Sequence, residues 1–276
     1  MTNLFNYIER PSPIHRLTGA SKLVGLVMWS LAAMTGFHTP LLVVLTLASF
    51  LLFRVSHIKL KEISFMLKFT FVFMILNNVL IYLFSPQHGV EIYGSKTVLF
   101  EIAGPYIVTK EQLFYHLNVA LKYTCTIPIV LLFVSTTNPS EFAASLNRIG
   151  VSYRVSYSVA LALRYIPDIQ REFYDISQAQ QARGVEMSKK APLIKRLKSA
   201  SAILIPLVLS SLDRIETVSN AMELRGFGKN PKRTWYTGRK FGPGDYVTMA
   251  VSTGLFLLNL LLTFLNGGSR FFNPFT

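Results

Sequence analysis

The most constraining feature of the sequence is a set of long apolar runs that carry almost no charge. Phe65–Phe84 contains one charged residue, Lys68, and Tyr246–Leu265 contains none. About 20 consecutive, mainly apolar residues suffice to cross the hydrocarbon core of a bilayer as an α-helix. Charged residues make up 15% of the chain, whereas soluble domains carry about 25%. The runs therefore predict an all-α integral membrane protein.

The charge balance supports the same class of protein. Lys and Arg outnumber Asp and Glu by 28 to 14, and they gather between the apolar runs. A basic chain can indicate nucleic-acid binding, but basic clusters beside membrane spans are typical of cytoplasmic loops. We therefore expect contact with membrane lipid and no nucleic-acid partner.

The order of the runs predicts about five transmembrane helices, with the N-terminus in the cytoplasm. The first two runs are joined by a turn signal without Lys or Arg, which indicates a helical hairpin whose turn faces outside. The segment Ser85–Gln112 is predicted to be an outside loop, and the tail Asn266–Thr276 is also predicted to lie outside. The predicted spans are Leu23–Met34, Leu41–Phe53, Phe65–Phe84, Leu113–Val134 and Tyr246–Leu265.

These spans divide the chain into a membrane domain (1–135), a basic cytoplasmic domain (136–244) and a last span with its tail (245–276). The apolar patches Val155–Ile166 and Ala200–Leu212 in the middle domain are about a dozen residues long, too short to span. We expect them to form buried or interfacial helices. Lipid headgroups or solvent should surround the basic run Lys189, Lys190, Lys195, Arg196 and Lys198.

A few polar residues fall inside the predicted spans. Lys122 should face protein or water rather than lipid, because a charge in hydrocarbon is costly. Asn77 and Asn78 are expected to form hydrogen bonds between helices rather than to contact a substrate. The one cysteine, Cys125, is predicted to be a buried apolar thiol.

Two short motifs in the basic domain share the pattern Ala-x-x-x-Arg-Gly. The first arginine motif is Ala179–Gly184 and the second is Ala221–Gly226. Gly after the last helical residue is a common helix C-cap, and Arg in the last turn meets the negative end of the helix dipole. Each motif follows a predicted helix that begins near a proline, Pro167 or Pro206. Ordinary helix capping explains one copy, whereas two copies favour helix ends that dock on partner proteins.

On these motifs the chain resembles the transmembrane T component of energy-coupling factor (ECF) transporters. The similarity extends over nearly the whole chain and includes the arrangement of four spans, a long cytoplasmic segment and one last span. The residues that carry it are Gln181–Gly184, Glu223–Phe227, Ser12–Leu17 with Lys22, Thr137–Glu141 and Leu163–Pro167.

The resemblance implies a cytoplasmic coupling domain of long crossed helices and a non-catalytic role in vitamin or metal-ion uptake. It implies that Arg183 docks one ATP-binding-cassette (ABC) ATPase subunit and Arg225 the other, and that a membrane S component binds the substrate. ATP would be bound by the ATPase subunits, and this chain would hold no cofactor. The resemblance assigns the shape of the docking ends to Ala182, Gly184, Glu223, Leu224 and Gly226. The apolar patch that contains Pro206, Leu207 and Leu209 is expected either to pack on a helix of this chain or to contact the S component.

Two other classes compete with this interpretation. A membrane enzyme acting on a lipid or isoprenoid substrate would need an acidic metal-binding cluster, and Asp168, Glu172 and Asp175 are the nearest candidates. Their spacing is better explained by a solvated helix face. An autonomous carrier would need polar residues in several spans, where only Lys122 and the two asparagines occur. The sequence shows no phosphate-binding Gly-Lys-Ser/Thr loop and no metal-ligand spacing among its five histidines.

Overall fold

The computed structural model describes residues 10–59, 64–104, 106–185, 192–230, 234–235, 238–266 and 269–275. Contacts divide the chain into two compact units. The membrane unit combines Met1–Asn138 with Arg239–Thr276, so the C-terminal helix belongs with the N-terminal helices. The two-helix unit is Pro139–Gly238.

The membrane unit is built mainly from helices. Three of them, α4, α6 and α10, are long and apolar enough to cross a membrane, and α2 and α3 are shorter apolar helices. This confirms the predicted all-α membrane class. The elements are α1 (Pro13–Arg16), α2 (Gly19–Thr35), α3 (Thr39–Val55), α4 (Ser64–Phe84), α5 (His88–Tyr93), β1 (Val98–Ala103), β2 (Tyr106–Thr109), α6 (Lys110–Thr136) and α10 (Pro243–Leu265).

The segment Ser85–Gln112 is more ordered than the predicted loop. It contains α5 and the antiparallel hairpin β1–β2, and α6 already begins at Lys110. Glu111 is buried and its carboxylate accepts hydrogen bonds from the Thr97 N–H (3.1 Å) and the Ser95 hydroxyl (3.1 Å). These bonds fix the segment before β1 to the first turn of α6, a long-range arrangement that local composition does not encode.

The core of the membrane unit lies where α2, α3 and α6 meet. Cys125 is buried there, as predicted, and its carbonyl accepts a hydrogen bond from the Trp29 ring N–H at 3.2 Å. Asn78 of α4 is hydrogen-bonded to His116 of α6 at 2.9 Å. The predicted hydrogen bond between helices is therefore confirmed for Asn78. One apolar cluster comprises Trp29, Ala32, Ala33, Leu41, Leu42, Leu45, Cys125 and Ile129.

Two buried lysines cap helix ends in the membrane unit. Lys22 of α2 donates to the carbonyl of Thr136, the last residue of α6, at 2.8 Å. Lys122 of α6 donates to the Met34 carbonyl near the end of α2 at 2.9 Å. A cation at a helix C-terminus complements the helix dipole. Lys122 therefore faces protein, as predicted.

These contacts also show that α2 and α10 run in the same direction and that α6 runs in the opposite direction. The start of α2 lies beside the end of α6 through Lys22, and the buried Asp245 near the start of α10 accepts a hydrogen bond from the Thr18 N–H at 2.7 Å. At the opposite end, the Phe37 N–H after α2 donates to the Arg270 carbonyl in the tail at 2.8 Å. This arrangement places the start of α2 and the tail at opposite ends of the spans.

The two-helix unit is named for its two long helices, α8 (Tyr153–Ala182) and α9 (Leu193–Leu224), which the short helix α7 (Pro139–Arg148) precedes. The prediction that Pro167 and Pro206 lie near the starts of the helices is wrong, because both lie inside continuous helices. Because a proline removes one backbone hydrogen bond and tends to kink a helix, the sequence predicts a helix boundary near each proline. The apolar patches and the charged segments that follow them are parts of the same two helices.

Candidate functional site

The two arginine motifs adopt the same backbone conformation. Arg183 is the C-cap of α8 with φ −83° and ψ 7°, and Arg225 is the C-cap of α9 with φ −82° and ψ 8°. Gly184 and Gly226 follow with φ of +83° and +65°. This left-handed region is costly for residues with a Cβ atom, so both positions favour glycine. The sequence pattern predicts the arginines in the last helical turn, whereas the structure places each of them one residue beyond that turn.

Each motif closes its helix with the same pair of backbone hydrogen bonds. The Gly184 N–H donates to the Gln181 carbonyl (2.9 Å) and the Val185 N–H to the Gln180 carbonyl (3.0 Å). The second motif repeats these bonds from Gly226 to Glu223 (2.8 Å) and from Phe227 to Met222 (2.9 Å). This is the Schellman arrangement. Because the backbone satisfies these carbonyls, no side chain of the motif is needed as a cap.

The side chains of both motifs are therefore left at the surface. Arg183, Arg225 and Glu223 are exposed, and the Leu224 side chain is 89% exposed. The structure thus brings the predicted site residues into two compact groups, Ala182–Gly184 and Glu223–Gly226.

The two groups lie at opposite ends of the helix pair. The Gly228 N–H, just after α9, donates to the hydroxyl oxygen of Tyr153, the first residue of α8, at 2.7 Å. Further along, Glu172 of α8 meets Arg214 of α9. The helices therefore run in opposite directions. Arg183 lies eleven residues after Glu172, and Arg225 lies eleven residues after Arg214. At 1.5 Å per residue, the two arginine motifs are therefore separated by roughly 33 Å along the helix pair.

The chain after the second motif is tied to the start of α8. The Phe227 ring packs against Tyr153 (5.4 Å between centroids) and Tyr157 (5.0 Å). Arg154 donates to the Gly228 carbonyl at 2.9 Å. The sequence did not identify Tyr153 or Arg154, because they are separated by about 75 positions from the residues that they contact.

A polar contact joins α8 and α9 where the two helices meet. Glu172 accepts a hydrogen bond from the Ser210 hydroxyl and another from the Arg214 guanidinium at 2.7 Å. The prediction that Asp168, Glu172 and Asp175 form a solvated face is wrong for Glu172, because its side chain is 20% exposed and ion-paired. Next to this contact, a groove of about 350 Å³ is lined by Leu161, Tyr165, Ile169, Ser211, Arg214, Ile215, Val218, Ser219 and Met222.

The residues expected to contact an S component lie on α9 with different exposures. Leu209 is exposed, Pro206 is half-buried and Leu207 is buried. Leu209 belongs to an apolar stripe with helical spacing, formed by the exposed side chains of Leu204, Ile205, Val208, Leu209, Leu212 and Ile215. The stripe is the continuous apolar surface that a partner could cover.

Two other expectations concern charged groups. Lys189 and Lys190 of the basic run lie outside the described residues, and for Lys195, Arg196 and Lys198 only the helical backbone is described. Within the described part of the chain, no group of three or more His, Cys, Asp or Glu side chains could hold a metal ion.

Taken by its fold, the chain is an α-helical integral membrane protein with two long helices beyond its apolar spans. A family model described as cobalt transport protein (CbiQ) matches residues 10–236. The chain is 30% identical to the energy-coupling factor transporter transmembrane protein EcfT of Exiguobacterium sibiricum, over 95% of this chain and 96% of the relative. The EcfT proteins of Leuconostoc gelidum (29% identity, 95% of this chain and 97% of the relative) and Thermotoga maritima (24%, 92% and 91%) are also similar.

The chain therefore belongs to the family of transmembrane T components of ECF transporters. The match to the family model includes both arginine motifs and the first four apolar helices. The relatives are named as transporter components rather than as enzymes.

Proposed function

We propose that this chain couples two ABC-type ATPase subunits to a substrate-binding S component in an ECF-type importer. The observation that carries the proposal is the pair of matching arginine motifs, which present exposed side chains on the same rigid backbone at the two ends of an antiparallel helix pair. Two equivalent ends fit two similar partner subunits. Arg183 and Arg225 would supply the guanidinium groups, whose planar forks suit carboxylates or backbone carbonyls of a partner.

The chain itself is proposed to be non-catalytic. ATP would be bound and hydrolysed by the ATPase subunits, and the substrate, a vitamin or a metal ion, would be bound by the S component. The N-terminus and the two-helix unit would face the cytoplasm and the tail the outside, because the basic residues gather on one side of the predicted spans. A membrane enzyme or an autonomous carrier has no comparable supporting observation.

The test is co-purification with both ATPase subunits in detergent. We expect Arg183→Glu and Arg225→Glu each to weaken retention of the ATPases, and the double variant to lower it by about tenfold or more, since reversed charges meet the same partner groups. Arg164→Glu is the matched control, because Arg164 is an exposed arginine on α8 that belongs to neither motif. If the double variant retains the ATPases as well as the control does, the motifs are helix caps and the proposal fails.

S-component contact is tested separately. Leu209→Lys places a charge within the exposed apolar stripe of α9, and we expect it to lower S-component retention while ATPase retention stays unchanged. Ile149→Lys is the matched control, because Ile149 is an exposed apolar residue of the same unit outside the stripe. Equal retention of the S component by both variants would remove the stripe from the proposed interface.

A further inference from the structure

The contact between α8 and α9 is organised around one ion pair. Glu172 receives hydrogen bonds on both carboxylate oxygens, from Ser210 and from Arg214. The Arg214 guanidinium also lies over the Tyr165 ring, 5.6 Å from its centroid. The side chains of Arg214 and Glu172 are 33% and 20% exposed. Charge-assisted hydrogen bonds of this kind are directional, so the pair fixes which turns of the two helices face each other.

The position of this pair relative to the arginine motifs is symmetrical. Glu172 precedes Arg183 by eleven residues, and Arg214 precedes Arg225 by eleven residues. Eleven residues correspond to about three helical turns and about 16 Å. The ion pair and the arginine therefore lie near the same face of each helix, and the pair is equally far from both arginine motifs.

We propose that the Glu172–Arg214 pair is the pivot about which α8 and α9 turn when the ATPase subunits move, a role that rests on the proposed docking function. Glu172 and Arg214 are then positioning residues that act through the arginine motifs. With equal arms, a rotation of about 10° at the pair moves each motif by roughly 3 Å. Two similar ATPase subunits that close on each other need such equal displacements.

An ion pair suits a pivot better than an apolar contact does. Half-buried ion pairs add little net stability compared with well-packed apolar side chains, but they can specify one geometry. Apolar side chains, which lack directional bonds, would let the helices slide to a neighbouring register. The pair therefore allows a change of angle while it keeps the two helices in register.

The experiment measures the distance between one label near the first arginine motif and a second label near the second arginine motif. Spin labels are placed at Gln178 and Asn220, which are both exposed, in a Cys125→Ala background and in the complex with both ATPase subunits. The distribution of distances is recorded by pulsed electron spin resonance without nucleotide and with ATP and vanadate. We expect one narrow distribution that shifts when nucleotide is trapped.

Glu172→Gln and Arg214→Gln should broaden this distribution by about twofold and remove the shift, because the directional contact is lost. The charge-swapped double variant, Glu172→Arg with Arg214→Glu, should restore both. Asp175→Asn is the matched control, because Asp175 is an exposed carboxylate one turn further along α8. Arg214→Lys keeps the charge without the planar fork and should broaden the distribution less than Arg214→Gln.

The outcomes separate the pivot from the docking function. If the Gln variants retain the ATPases and keep the wild-type distribution and shift, the pivot is excluded. A lower unfolding temperature with unchanged distances would make the pair merely stabilising and would also overturn the proposal. If the wild type does not retain the ATPases, the docking function fails, while the distribution without nucleotide still shows whether the pair fixes the helix contact.

Discussion

The membrane unit and the two-helix unit complete the ends of their helices in different ways. In the membrane unit, side chains from distant helices do so: Asp245 accepts from the backbone at the start of α2, and Lys22 and Lys122 donate to carbonyls at the ends of α6 and α2. In the two-helix unit, α8 and α9 are closed by their own backbone around Gly184 and Gly226. One unit uses charged groups internally, and the other leaves its arginines at the surface.

The difference follows from the surroundings of each unit. A backbone group without a hydrogen bond is costly in hydrocarbon, and a charge there must be paired. In the membrane unit, charged side chains pair with the open backbone groups at helix ends, so that both costs are avoided. The exposed ends of α8 and α9 have to be closed without a side chain from a neighbouring helix. Local closure by glycine achieves this, because it needs no side chain.

The largest expected effect comes from removing the acceptor in the membrane unit. Asp245→Ala leaves the Thr18 N–H and the Gly242 N–H without an acceptor, and it removes one acceptor from each of the Thr18 and Ser21 hydroxyls. We expect a loss of about 3 kcal/mol in the free energy of unfolding, measured from the unfolding midpoint in detergent. Asp213→Ala, an exposed residue of α9, should change it by less than about 0.5 kcal/mol. Equal shifts for the two variants would contradict the comparison.

The next effect concerns a close approach in the membrane unit. A Cβ atom on Gly36 would lie 2.0 Å from the Asn259 Oδ1 of α10. We therefore expect Gly36→Ala to cost about 2 kcal/mol through overpacking, again measured from the unfolding midpoint. Gly254→Ala in α10 has open space around it and should be neutral or slightly stabilising. If Gly36→Ala is as harmless as Gly254→Ala, α2 and α10 are not packed as closely as the structure shows.

In the two-helix unit glycine has a conformational rather than a packing role. A Cβ atom on Gly184 meets nothing within 4 Å, but φ is +83°. We expect Gly184→Ala to cost about 1 kcal/mol, and Gly184→Asn less, since asparagine tolerates the left-handed region better. Unfolding midpoints of the three proteins test this order. If alanine and asparagine cost the same, backbone conformation is not what selects glycine at the first arginine motif.

The sequence reveals local features well and long-range ones poorly. The spans follow from the length and hydropathy of each run, and the Gly caps follow from adjacent residues. In contrast, Asp245 and Thr18 lie 227 positions apart, so nothing near either residue indicates their contact. Pro167 misled the prediction of helix starts because its local preference is outweighed in a long packed helix. The ion pair of Glu172 was missed for the same reason as Asp245, since its partner is on another helix.

The smallest effect should be confined to the second arginine motif, which differs from the first in its tie to the start of α8. Tyr153→Phe removes the hydroxyl that accepts from the Gly228 N–H and keeps the ring against Phe227. The loss of one hydrogen bond costs about 0.5 kcal/mol or slightly more, which should raise amide exchange around Phe227 and Gly228 by about twofold. Exchange around Gly184 should stay unchanged, and so should exchange at both motifs in Tyr174→Phe, where the tyrosine is exposed. Faster amide exchange at both motifs in Tyr153→Phe would mean that the two ends of the helix pair are not independent. The Tyr153 hydrogen bond would then stabilise the whole helix pair rather than the second arginine motif alone.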